Sequence, residues 1–174
     1  MAIHLIVDGY NFMAARQGGK LIPHWDLELS RQRLLEEIRR LRFRRPIKIT
    51  VVFDAPGEEN ARCSWKGMEV VFAGGREKAD GAIARLVSRN PHGAVVATSD
   101  RALAESCRAM GATVVSSREL GLRIMRLQAT EPSPGWDEEE DDEERSRLGP
   151  TQKKGPARRL SKRERRDKRR LRKL

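Results

Sequence analysis

Three aspartates stand directly after short runs of strand-forming residues: Asp8 after IHLIV, Asp54 after ITVVF and Asp100 after VVATS. In a parallel sheet the carboxyl ends of the strands lie along one edge, where ligands bind, so side chains from these distant places are expected to converge. Asp80 is a fourth candidate. It lies in Glu77-Lys78-Ala79-Asp80, after a strand-like run and a glycine turn, and so falls in the first turn of a helix starting toward the same edge. Crowded carboxylates raise one another's pKa, and such a cluster stays ionised when a cation neutralises it. Hard oxygen ligands favour Mg²⁺ or Mn²⁺. A metal so held can orient a water, stabilise the charge developing at phosphorus and bridge to a leaving oxygen, which is phosphodiester hydrolysis. That chemistry requires neither a histidine nor a nucleophilic serine.

Each carboxylate also has a plainer reading. Asp8 could form a turn with Gly9, Asp54 could start the loop through Pro56, Asp100 could cap the next helix, and Asp80 could complement a helix dipole. Asn11 could hydrogen-bond a phosphate, orient Asp8 or only shape the turn. Thr98 and Ser99 are candidate RNA phosphate contacts, although hydroxyls at a strand end often satisfy local backbone groups. Glu77 reads as a solvated acid at a helix start. Two other phosphate chemistries fit poorly. An aspartyl phosphotransferase usually wants a second carboxylate two residues after the first, where Tyr10 stands, and no Gly-rich run ends in Lys-Ser or Lys-Thr as a P-loop does.

The elements that must position these residues alternate between strand and helix, the pattern of a parallel sheet flanked by helices. Ile3 to Val7 reads as the first strand. Leu27, Leu34, Leu35, Ile38 and Leu41 share one face of a helix over 26–43. Strands are expected at 47–53, 69–72, 95–98 and 113–115, and helices at 77–88, 101–110 and 118–127. Residues 55–67, with Pro56, Gly57, Asn60 and Gly67, read as a loop.

The segments VDGYN at 7–11, VVFDA at 51–55, EVVFAGGREKAD at 69–80 and VVATSD at 95–100, with Ser117-Arg118-Glu119-Leu120 beyond them, make residues 3–125 resemble the YacP-like branch of the NYN domains, within the PIN-like nuclease group. The resemblance implies a PIN-like α/β/α sandwich with a mainly parallel sheet. It also implies Mg²⁺- or Mn²⁺-dependent endoribonuclease activity, with RNA or translating ribosomes as the setting. On that resemblance Asp8, Asp80 and Asp100 are the metal ligands, supported by Asp54 and Asn11. The sequence departs from the family at Gly81, where a second acid usually follows the helix aspartate. A binding module that keeps the fold and the RNA or ribosome affinity without turnover is therefore the alternative.

Charge divides the chain. Residues 1–136 hold 21 Lys and Arg against 15 Asp and Glu, a net +6, while 137–144 hold eight acids and 145–174 hold 15 bases against two acids, a net +13. A basic body with a more basic tail points to a polyanionic partner, since each base laid on a phosphate releases a counterion. The folded domain is expected over 1–129. From residue 130 onward Pro, Gly, Ser and charge runs replace any apolar period, and a disordered tail is expected. Its candidate RNA contacts are Arg158, Arg159 and Lys162, then Arg163, Arg165 and Arg166. No run approaches the roughly 18 apolar residues of a membrane helix, and the start lacks the features of a signal peptide, so a cytoplasmic location without membrane contact is expected. Cys63 and Cys107, the two cysteines, have no His or Cys neighbours at ligand spacing and indicate neither a disulfide framework nor a zinc site. These residues specify no oligomeric state.

Overall fold

The β-branched runs form strands wherever both faces can be covered. In the computed structural model the described residues are 3–18, 26–44, 47–55, 60–75, 77–129 and 162–172. The strands are β1 (His4–Asp8), β2 (Lys48–Asp54), β3 (Ala61–Trp65), β4 (Met68–Ala73), β5 (Ala94–Ala97) and β6 (Thr113–Val115). The helices are α1 (Gly9–Arg16), α2 (Leu27–Arg44), α3 (Ala79–Arg89), α4 (Arg101–Ala109), α5 (Ser117–Ala129) and α6 (Lys162–Leu171). The strands form one sheet in the order β3-β4-β2-β1-β5-β6. All pairs are parallel except β3 with β4.

Because successive side chains point to opposite faces of a strand, each central strand feeds two cores. Leu5 and Val7 of β1, with Ile49, Val51 and Phe53 of β2, pack under α1, α2 and α5. Ile6, Val52 and Val96 point the other way, toward α3 and α4. The result is the three-layer α/β/α sandwich expected. Register sets the levels at the sheet edge: Asp8 pairs with Val52, Asp54 with Ala73, and Val7 with Ala97, so Asp8 and Thr98 emerge at the same level of the sheet.

Buried polar groups near the start of the sheet are paired. His4 Nε2 lies 2.7 Å from the Thr50 hydroxyl, which donates to Glu69 Oε2 at 2.9 Å. Since that hydroxyl has one proton and gives it to Glu69, His4 must donate through Nε2–H, which assigns its neutral tautomer.

Three elements depart from the sequence expectation. The segment read as a loop over 55–67 contains β3, joined to β4 through Lys66 at φ 46° and Gly67 at φ 81°. Positive φ at both positions suits a two-residue hairpin turn. Ala61, Arg62, Cys63 and Ser64 are all exposed, so this edge strand carries no apolar alternation to betray it. Next, α1 begins at once after β1, where a turn was expected. Finally, within the tail, residues 162–172 form a docked helix and its following turn. The Thr113 hydroxyl donates to Asp167 at 2.9 Å and accepts from Arg170 at 3.2 Å, Arg123 donates to the Leu171 carbonyl, and Leu171 packs against the core. One apolar residue and these polar contacts dock α6 on edge strand β6, a common way of covering a free edge. The acidic run 137–144, with Arg158 and Arg159, lies outside the described residues. Among the described residues no helix is long and apolar enough to cross a membrane.

Candidate active site at the carboxyl edge of the sheet

Asp8 ends β1 and caps α1, its Oδ1 accepting the Asn11 main-chain N–H at 3.3 Å. Its Oδ2 accepts the Thr98 hydroxyl at 3.1 Å. The strand-to-helix junction is tight: a Cβ added to Gly9 would lie 2.4 Å from Cε1 of Phe53, so only glycine lets α1 start there. Thr98 also accepts the Asp100 main-chain N–H at 3.0 Å. It is buried and its hydroxyl is occupied on both sides, so it is a strut between the Asp8 carboxylate and the Asp100 main-chain N–H. This corrects its assignment as an RNA contact.

Asp100, exposed, caps α4 by accepting the Leu103 N–H at 2.9 Å. Lys78, at the N-cap position of α3, supplies no side-chain hydrogen bond; Asp54 Oδ1 instead accepts the Ala79 N–H at 3.2 Å from across the sheet edge. Asp54 thereby anchors the turn that carries Asp80, which is exposed one residue further on. Glu77, half-buried two residues before α3, accepts from Arg85 at 2.8 and 3.0 Å. A Cβ on Gly81 would meet Glu77 Cγ at 3.4 Å, an ordinary contact.

Burial and neighbouring charge shift two of these carboxyls. Burial pushes the Asp8 carboxyl up to about 6; its hydrogen bonds from Asn11 and Thr98 oppose this, and the charges of Asp80 and Asp100 add to it. Burial also raises Asp80, reinforced by the charges of Asp100 and Asp54 and opposed by Lys78. The charges of Asp80 and Asp100 thus bear on Asp8, and those of Asp100 and Asp54 on Asp80. Among the described residues, as they stand, no three His, Cys, Asp or Glu side chains form a ready-made metal-ligand set. The donor chemistry still fits a hard divalent cation: every donor is a carboxylate oxygen, and their mutual repulsion is what such a cation relieves.

Asn11 Oδ1 accepts the Ser99 N–H at 2.7 Å and the Ser117 hydroxyl at 2.9 Å. The Ser117 N–H in turn meets Ser99 Oγ at 3.3 Å. Sequence reasoning gave Ser117 no role. The available signal was its place after β6, where the chain leaves the sheet edge much as it does at Asp8 and Asp100; Ser116 takes the cap position by accepting the Glu119 N–H at 3.1 Å.

Among the described residues, no hydrogen bond or ion pair links the basic side chains of α6 to this cluster. Arg165 and Arg166 are exposed on α6, which is anchored at Thr113, the first residue of β6. Lys162 and Arg163 belong to the same helix. Arg165, Lys168, Arg169 and Arg172 line one concavity.

A family model described as YacP-like NYN domain matches residues 5–173. Among solved structures, the chain is similar to the crystal structure of Rae1 (YacP) from Bacillus subtilis, at 28% identity and a TM-score of 0.61, covering 74% of this chain and 76% of that one. A Trp-to-Leu mutant of the same Bacillus subtilis protein gives 27% identity and a TM-score of 0.63, with 73% and 77% covered. No curated protein matches the chain.

Proposed function

Because the chain belongs to the YacP-like NYN domain family, whose domains are of the PIN-like nuclease type, we propose that it is a metal-dependent endoribonuclease that hydrolyses RNA phosphodiester bonds, with translating ribosomes in the cytoplasm as its setting. The observation that carries this reading is geometric: Thr98 ties the Asp8 carboxylate to the Asp100 backbone, and Asp54 holds the first N–H of the helix turn that bears Asp80, all at the carboxyl edge of one parallel sheet. Asp8, Asp80 and Asp100 would hold Mg²⁺ or Mn²⁺. Such an ion supplies an oriented water and stabilises negative charge on the phosphate.

The chain's own residues do the rest. Thr98 fixes the Asp8 carboxylate relative to the Asp100 backbone. Asp54 anchors the start of α3 and so sets where Asp80 stands. Asp8, with its pKa near 6, is mostly ionised at neutral pH. The basic face of α6 and the net charge of +11 draw the phosphate backbone to the protein. Gly81 favours one other reading, an RNA- or ribosome-binding module without turnover, because it leaves the position after Asp80 without a carboxylate.

Incubation of the purified protein with a mixed RNA pool in Mn²⁺, in Mg²⁺ and in EDTA, beside the Asp8→Asn variant, separates these readings. The nuclease reading expects cleavage that needs the metal and is lost in the variant. RNA retained without cleavage under every condition would establish the binding module instead.

A further inference from the structure

Asn11 is held in a way that fixes which end of its amide faces the protein. A main-chain N–H can only donate, so the Asn11 atom 2.7 Å from the Ser99 nitrogen must be the carbonyl oxygen. The Ser117 hydroxyl donates to that same oxygen at 2.9 Å. Both contacts fall on Oδ1, and among the described residues no hydrogen bond engages Nδ2, which leaves two N–H donors on a half-buried side chain. Asn11 is tied to the site at its backbone too, since its N–H is the one that Asp8 Oδ1 accepts.

From this we infer that Ser117 is a positioning residue for the proposed nuclease: it locks the Asn11 amide so that Nδ2 donates to a non-bridging oxygen of the RNA phosphodiester. The inference rests on the nuclease reading. Ser117 suits the task because it is fully buried and its own N–H is held by Ser99 Oγ at 3.3 Å. The ends of β5 and β6 thus close a small ring around the Asn11 oxygen, against which the side chain cannot turn over without setting Nδ2–H against the Ser99 N–H. A phosphate oxygen carries negative charge and accepts strongly, so donors preset before substrate arrives cost little reorganisation when it binds.

The test measures kcat and KM on an RNA oligonucleotide with Mn²⁺ for wild type, Ser117→Ala, Ser117→Thr, Asn11→Ala, Asn11→Asp and the double variant Ser117→Ala with Asn11→Ala. Thermal midpoints are recorded beside them. Loss of one neutral hydrogen bond predicts a fall of roughly five- to tenfold in kcat/KM for Ser117→Ala, with most of it restored in Ser117→Thr. In the Asn11→Ala background the Ser117→Ala change should have no further effect, because there is no amide left to aim. Asn11→Asp keeps the acceptor contacts and loses the donors, and should fall at least as far as Asn11→Ala. An equal loss from Ser117→Ala in both backgrounds, or wild-type turnover in Asn11→Asp, overturns the inference and leaves the nuclease reading intact. Wild-type protein that cleaves nothing overturns both.

Discussion

Replacing Asp8 with asparagine should make the protein more stable while abolishing its cleavage of RNA. The folded state retains the Asp8 proton up to about pH 6, whereas an unperturbed aspartate releases it near 3.8. Between those values the folded protein binds more protons than the unfolded chain, so wild-type stability falls as pH rises through that window. A gap of roughly two pKa values corresponds to about 3 kcal/mol, an upper figure for what the ionised carboxylate costs at neutral pH. Asparagine has the same shape and keeps an oxygen for the Asn11 N–H, but its amide nitrogen cannot accept the Thr98 hydroxyl, and that lost hydrogen bond offsets part of the gain. A gain of about 1–3 kcal/mol is therefore expected near pH 7.5 in EDTA, shrinking to nothing below about pH 4. His4 acts in the opposite sense. Burial, with the charge of Lys48 adding to it and Glu69 opposing, lowers its pKa from 6.5 to about 4, so the folded state resists protonation and stability rises with pH between those values. In wild type the two trends offset each other between about pH 4 and 6, and the stability curve there should be nearly flat. In Asp8→Asn the His4 limb, no longer offset by Asp8 and opposed only by the raised Asp80 carboxyl, should rise by up to about 3 kcal/mol by pH 6.5. Urea denaturation in steps from pH 4 to 7.5 measures both curves. Equal stability of the two proteins at pH 7.5, or a difference independent of pH, would refute the reasoning, because either would mean that Asp8 carries no buried charge.

Further substitutions probe the elements around the site. Gly9→Ala drives a methyl group into the Phe53 ring, 2.4 Å from Cε1, and should cost about 2 kcal/mol by urea denaturation and lower cleavage by displacing Asp8. Gly81→Ala meets Glu77 at an ordinary 3.4 Å on an exposed helix face and should raise stability by about 0.5–1 kcal/mol, read as an increase in the thermal midpoint. Replacing Arg165, Lys168, Arg169 and Arg172 together with glutamine should flatten the dependence of log K on log salt for single-stranded RNA by about 0.7 for each phosphate no longer neutralised. An unchanged slope would remove α6 from the RNA-binding surface.

The sheet was legible because its central strands are buried on both faces and so spell short runs dominated by apolar and β-branched residues: IHLIV, ITVVF and VVATS end where β1, β2 and the β5 segment reach the site. From parallel strands the common edge followed, and with it the convergence of Asp8, Asp54 and Asp100. What stayed hidden had no such pattern. β3 exposes Arg62, Cys63 and Ser64, and its pairing with β4 is a long-range fact that local composition does not carry. The docking of α6 depends on Asp167, Arg170 and Leu171 meeting Thr113 and Arg123 from more than forty residues away. Ser117 was hidden for a similar reason, since its partner Asn11 lies 106 residues earlier. Thr98 was placed correctly at the edge but given the wrong task, because its burial and two-sided hydrogen bonding depend on the register of β1 against β5.

The plain reading of the aspartates as caps and the chemical reading as ligands are compatible in this fold, and one substitution separates them. Asp8 and Asp100 do cap α1 and α4, and Asp54 serves the first N–H of α3. A carboxylate offers about four acceptor sites, and a cap uses one. Among the described residues, Asp8 accepts two hydrogen bonds, Asp100 and Asp54 one each, and Asp80 none. The remaining acceptor capacity is free to face a cation. The amino ends of α1, α3 and α4, brought to one edge, meanwhile supply partial positive charge that eases the repulsion among the four acids. Serine at position 100 is an equally good cap with no charge. Asp100→Ser should therefore leave stability within about 0.5 kcal/mol of wild type while cleavage collapses, measured by denaturation and by turnover on the same preparation. If Asp100→Ser cleaves as wild type does, Asp100 is a cap and nothing more, and the cation must be held without it.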